Sequence, residues 1–433
     1  MNVVLVKPRN FKIAVSKGTI RLPLGLAYIA AACENKGHNV VIIDSEVLDI
    51  DSDALAKEIL KYNPDLVGFT ATTPLVLEAD TISRKIKEAA PEIKTIIGGP
   101  HITFMPEETL KITSFDFACI GEGEDLVPTL LEVLREKGDT GKIPGLMSKV
   151  NGLIYGSNQS RMTNINTVPL PARHLLDLSK YIDIPRGINE PQDIIFTARG
   201  CPEKCAFCIS ATQKVRARTT ESVLSEIDEI VYKYGTKFLS IGDDTFTQHK
   251  GKTIELCKTF VERDYKLRYI CQTRLDKVDG ETLEWLEKSG CYAICMGIES
   301  GSNRILNSMN KRNDIEKIRK NIPLIKSFGF NLRATYILGW IDETEDEVWE
   351  TIKLAQEIDA DESAFCIAPP FPGTDLWKAA VSRGMTTDLH QLSKFHYYRE
   401  IGFNTSQITD ERLLELQQIA HNTVPSRIYK VCS

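Results

Sequence analysis

Short apolar runs recur through the first third of the chain, separated by stretches in which apolar positions return every three or four residues. The runs Val3–Val6, Val40–Ile43, Leu66–Phe69, Thr95–Ile97 and Phe115–Ile120 have almost no polar interruption, the pattern of strands buried on both faces. Between them Leu24–Lys36, Asp53–Tyr62, Leu75–Ala90 and Leu126–Lys137 read as amphipathic helices. This alternation predicts an α/β domain over residues 1–141, a doubly wound Rossmann-like parallel sheet covered by helices. Such a sheet takes its ligands at the carboxyl ends of its strands.

Residues 142–192 bear Gly, Pro and Asn among polar residues and read as a connection. Its VPLPARHLLDLSKY stretch is expected to strap across both domains. A second strand–helix series opens with Ile194–Ala198 and continues at Phe238–Gly242, Tyr269–Thr273, Tyr292–Gly297, Arg333–Gly339 and Ser363–Ala368. Six such units predict a partial (β/α)6 barrel over 193–375, smaller than an eightfold barrel of about 250 residues. Residues 376–433 read as a small polar helical region. No solenoid-length repeat interrupts the pattern.

Composition adds limits. The 433 residues are 42% hydrophobic and 26% charged, as in an ordinary globular protein with room for two domains. A net charge of −6 lends nothing to a nucleic-acid partner, and none is expected. The start MNVVLVKPRN lacks the features of a signal peptide. The apolar stretch Leu22–Cys33, bracketed by Arg21 and Glu34, is too short for a membrane span. Eleven cysteines without a framework spacing point to reduced thiols and a cytoplasmic location.

Candidate chemistry concentrates in ARGCPEKCAFCIS, directly after a predicted strand, where three residues separate Cys201 from Cys205 and two separate Cys205 from Cys208. Three soft thiolates on one short loop suit iron–sulfur or zinc. A closed zinc site wants a fourth Cys or His, and none lies nearby. A 4Fe–4S cluster on three thiolates keeps one iron open.

With Phe207 before the third cysteine, this loop resembles the signature of the radical S-adenosylmethionine superfamily. The resemblance extends over roughly residues 190–375 and implies a 4Fe–4S cluster whose open iron is chelated by S-adenosylmethionine. One electron then cleaves the sulfonium to a 5′-deoxyadenosyl radical. In FLSIGDDTFT, Asp243 and Asp244 match the segment that receives the methionine ammonium. In MGIESGSNRILNSMNK, Glu299 matches a ribose ligand, and Lys311 a basic partner of the methionine carboxylate. ATYILGWIDET resembles the segment that lines the adenine around Ile337, and APPFPGT matches a Pro-rich turn of one branch. A small-molecule substrate and an electron donor such as flavodoxin or ferredoxin are implied.

Residues 1–130 resemble the N-terminal cobalamin-binding domain of one branch, in LPLGLAYIAAACENKGHNVVIID, GFTATT, IIGGPHITFMPEE and CIGEGED. The resemblance implies a corrin resting on Thr70, Thr72, Thr73, Gly98, Gly99, His101, Gly121 and Glu122. Small residues there permit close backbone approach. The Asp-x-His-x-x-Gly motif is absent, which implies cobalt without a histidine lower ligand. Cys33, Cys119, Cys257, Cys271, Cys291, Cys295, Cys366 and Cys432 read mostly as core thiols.

Three functions follow from the resemblance. The first is cobalamin-dependent methyl transfer to an unactivated carbon or phosphorus. The second is a non-methylating radical reaction, such as cyclisation, dehydration, ring rearrangement or oxidation. The third is a non-catalytic carrier, against which Asp243, Glu299 and Lys311 argue.

Overall fold

The structure is a computed structural model and describes residues 1–9, 21–157, 162–182, 190–385, 389–395 and 401–424. It divides into two compact units, one running from Met1 to Lys180 and one beginning at Tyr181.

In the first unit the sheet comprises β1 (Asn2–Lys7), β2 (Asn39–Asp44), β3 (Leu66–Thr70), β4 (Lys94–Gly98), β5 (Phe117–Cys119), β6 (Leu146–Val150) and β7 (Leu153–Gly156). Their order is β2-β1-β3-β4-β5-β6-β7. The first five run parallel, and Val3 to Val6, Leu66 to Phe69 and Ile96 to Ile97 are buried. The order reverses between β1 and β3, and the strand-end crevice at such a reversal is where a doubly wound sheet holds its ligand.

The stretch read as a connection starts differently. β6 pairs antiparallel with β5, and β7 with β6, so the sheet gains a hairpin edge. Leu146, Met147 and Ser148 are buried in succession, whereas Val150, Leu153 and Tyr155 are exposed, so the hairpin shows no continuous apolar run. The following strap docks on the helix Leu24–Glu34, where Ala172 N–H donates to Ala27 O at 2.9 Å.

The second unit is built on β8 (Gln192–Ile195), the short antiparallel pair β9 (Ala198–Arg199) and β10 (Arg216–Ala217), then β11 (Phe238–Ile241), β12 (Arg268–Thr273), β13 (Cys291–Glu299), β14 (Asn331–Leu338) and β15 (Glu362–Ile367). The six long strands form one parallel sheet in the order β15-β14-β13-β12-β11-β8, as a partial (β/α)6 barrel requires. The expected opening strand Ile194–Ala198 is shorter, because the chain leaves the sheet after Ile195 and Ala198 joins the β9–β10 pair.

The region after residue 376 is shared between the units. The turn Leu389–Lys394 belongs with the first unit and lies beside Thr73–Leu75, with Leu392 and Phe395 buried. Helix Asp410–Thr423 packs against β15, where Gln417 Nε2 donates to Phe365 O at 2.8 Å. Among the described residues no helix is long and apolar enough to cross a membrane.

Candidate functional site: a cysteine loop at the strand ends of the second unit

The loop Cys201–Cys208 follows β9 and is fastened at its centre. Ala206 N–H donates to Met309 O at 2.9 Å, and Ala206 O accepts from Leu376 N–H at 2.9 Å. Beside it Phe207, Ile337 and Trp340 share a small apolar cluster with Ala206, Met309 and Leu376. The rings of Phe207 and Trp340 meet edge to face at 6.2 Å.

Cys201 and Cys205 are buried and Cys208 half-buried. Burial pushes the Cys205 thiol up, and the charges of Lys311 and Arg274 pull against it. Cys208 is pushed up to about 11, again by burial. Among the described residues no three His, Cys, Asp or Glu side chains converge closely enough to chelate a single ion. Three thiols on one short loop are the soft donor set that an iron–sulfur cluster takes.

Asp243 and Asp244 separate sharply. Asp243 is 2% exposed, and both its oxygens are occupied. Oδ1 accepts from Thr197 N–H at 2.7 Å and Ala198 N–H at 3.2 Å, while Oδ2 takes the Thr197 hydroxyl. It ties the end of β11 to the chain just ahead of the cysteines. Burial raises its pKa to about 6. Asp244 is exposed on its surface, yet the protein around it still raises its pKa by desolvation, against a bond with Ser210.

Glu299 and Lys311 are buried together, with Lys311 Nζ 2.7 Å from Glu299 Oε1. Lys311 Nζ also lies 5.9 Å from the centre of the Phe207 ring. Glu299 has φ +71° where the β13–β14 register slips. A left-handed non-glycine residue at a bulge is a costly conformation that tends to cluster at working sites. The carboxylate folds back over Gly297, where an added Cβ would run into Glu299 and come within 2.8 Å of Lys311 Nζ. Here the carboxylate and ammonium are each other's partners.

Sequence reasoning missed Arg274, Glu203, Gly297 and Trp340. Arg274 stands at the end of an apolar strand, a position whose signal was available, whereas the others show their role only through distant partners.

In the first unit Thr70, Thr72, Gly98, Gly99 and Gly121 all fall at the carboxyl ends of β3, β4 and β5. Gly99 has φ +106°, and a Cβ there would meet Ala71 O at 2.7 Å, so its smallness already serves the protein's own packing. Thr73 Oγ1 lies 3.2 Å from His101 Nδ1. Burial pushes His101 down to about 4, which keeps the ring neutral, and among the described residues its buried Nε2 has no partner. That orphaned nitrogen at a ligand-binding edge fits a cofactor with amide side chains. Glu122 accepts from Thr163 N–H at 2.8 Å.

A ligand-binding parallel sheet followed by a barrel with a three-cysteine loop defines a two-cofactor enzyme class. The B12 binding domain model matches residues 13–131, and the Radical SAM superfamily model matches residues 195–355. An uncharacterized methyltransferase of Pyrococcus horikoshii is 33% identical over 392 residues, 89% of this chain and 84% of the relative. The chain belongs to the radical SAM superfamily, in the branch with an N-terminal B12-binding domain. An anaerobic magnesium-protoporphyrin IX monomethyl ester cyclase of Rubrivivax gelatinosus is 28% identical over 393 residues, 88% of this chain and 69% of the relative. The solved structure of TsrM, a radical S-adenosylmethionine methyltransferase from Kitasatospora setae with cobalamin and a 4Fe–4S cluster bound, has a TM-score of 0.74. It is 18% identical and covers 88% of this chain and 78% of its own, a likeness of fold.

Two substitutions test this geometry. Gly297→Ala should displace the Glu299–Lys311 pair at about 1–3 kcal/mol of overpacking, weakening S-adenosylmethionine binding in calorimetry while iron content stays full. Asp243→Ala should lower Tm, since unsatisfied donors at Thr197 and Ala198 cost about 1–3 kcal/mol each, whereas Asp244→Asn should leave Tm unchanged. Asp243's folded-state value of about 6 exceeds its ordinary 3.8. Its own titration therefore stabilises fully below 3.8 and that share is lost as pH rises through 6. The Tm difference between wild type and variant should narrow over that interval.

Proposed function

We propose that the chain is a cobalamin-dependent radical methyltransferase acting on a small molecule. The observation that carries the reading is the cysteine loop seated beside the buried Glu299–Lys311 pair, in a chain whose first unit matches the B12 binding domain. When bound, the cluster and S-adenosylmethionine supply one-electron sulfonium cleavage, and cobalamin supplies a methyl carrier.

Cys201, Cys205 and Cys208 hold the cluster. Asp244, the open member of its pair, meets the methionine ammonium, and Asp243 fixes the loop that presents the cysteines. Glu299 takes the ribose hydroxyls and Lys311 the methionine carboxylate, each trading part of its bond to the other for the ligand. Phe207 and Ile337 exclude water on the adenine side. In the first unit Thr70, Thr72, Gly98, Gly99 and Gly121 bring backbone against the corrin, while Thr73, His101 and Glu122 support them. A flavodoxin or ferredoxin supplies the electron in the cytoplasm.

The kinship with a cyclase favours a second reading, in which the radical step proceeds without methyl transfer. Binding and cleavage separate the parts of the proposal. Anaerobically reconstituted protein should bind about four irons and retain about one equivalent of hydroxocobalamin. The spectrum should lack histidine coordination. Cys205→Ala should abolish the brown chromophore and S-adenosylmethionine cleavage but keep the cobalamin. Full cleavage in that variant contradicts the tripod, and a wild type that retains no cobalamin contradicts the methyl-carrier role.

A further inference from the structure

Arg274 follows β12 directly, and its guanidinium is buried beside the cysteine loop. Nη1 points a donor at Cys205 Sγ, 3.7 Å away. Nη2 donates to Lys311 O at 2.8 Å, and Nε donates to Asp276 Oδ1 at 2.8 Å. Glu203, inside the loop itself, lies 3.8 Å from Arg274 and 3.5 Å from Lys277. These anchors leave the guanidinium no freedom to turn away from the sulfur.

We propose that Arg274 sets the reduction potential of the cluster through its contact with Cys205. The proposal rests on the reading that Cys205 ligates the cluster. A cysteine thiolate on a cluster carries negative charge, and each added electron makes the cluster more negative. A fixed cation with its N–H aimed at that sulfur stabilises the reduced form more than the oxidised one, raising the potential. Burial keeps water from screening the effect. Arginine suits the task because its planar fork reaches sulfur, carbonyl and carboxylate at once, which a lysine cannot do. Asp276 and Glu203 hold the fork in place and moderate its charge. Arg274 thereby joins the ease of reducing the cluster to the position of Lys311, whose carbonyl it grips.

The test uses anaerobically reconstituted full-length protein without S-adenosylmethionine, so that Lys311's ligand cannot intervene. Iron and acid-labile sulfide are counted, and the cluster's midpoint potential is read by redox titration followed by electron paramagnetic resonance. Arg274→Met should keep the full complement of iron with a midpoint shifted to more negative potential. Arg274→Lys, which keeps the charge but not the fork, should shift less. Both variants at the wild-type midpoint with full clusters would overturn the proposal. Loss of iron from both would also overturn it, assigning Arg274 to cluster assembly. If Arg274→Met alone loses iron, the lysine variant decides by whether its midpoint moves. A wild-type protein that assembles no cluster would instead contradict the tripod reading itself.

Discussion

Buried ions of opposite charge cannot be separated cheaply, and the Glu299–Lys311 pair imposes that constraint on the second unit. Removing one partner of such a pair strands the other, at about 3–5 kcal/mol. The pair holds the bulged end of β13 against the loop that carries Lys311. That loop in turn grips the cysteines, because Met309 O accepts from Ala206 N–H and Lys311 O accepts from Arg274. The cysteine loop and Arg274, both distant in sequence, therefore meet the 299–311 segment around one charge pair. The left-handed backbone at Glu299 and the bare Cα of Gly297 are what make room for it.

Much of the architecture was legible because its strands are buried on both faces. Val3–Val6 and Leu66–Phe69 announce themselves as apolar runs, and the strands from β11 to β15 fall within two residues of expectation. The hairpin β6–β7 was not legible, since an antiparallel edge exposes Leu153 and Tyr155 and breaks the run. The cysteine loop could be read because its spacing is local. Arg274 offered only its place at the end of a strand, and its partners Cys205 and Lys311 come near only on folding, as does the Lys311 ammonium beside Gly297. Asp243 and Asp244 show the same limit. Adjacent and chemically identical, they part only when the fold buries one on Thr197 and leaves the other open.

The first unit works by a different logic. Its strand-end loops are shaped by backbone proximity, as at Gly99 against Ala71. A large flat ligand with amide arms suits such an edge, where, among the described residues, the buried Nε2 of neutral His101 lacks a partner. The two units thus divide the labour. One offers close backbone and small side chains at Gly98 and Gly99, and the other a dense array of thiols and buried ions around Glu299 and Lys311.

The central claim is that radical generation and methyl transfer occur in one chain. It is tested most directly by mass spectrometry of the co-products. Reduced protein loaded with cluster and cobalamin would receive trideuteromethyl S-adenosylmethionine and an extract of small metabolites. The account predicts 5′-deoxyadenosine and S-adenosylhomocysteine in comparable amounts, with a deuterated methyl group appearing in one metabolite. Accumulation of 5′-deoxyadenosine without S-adenosylhomocysteine would contradict methyl transfer and leave a radical enzyme of another kind.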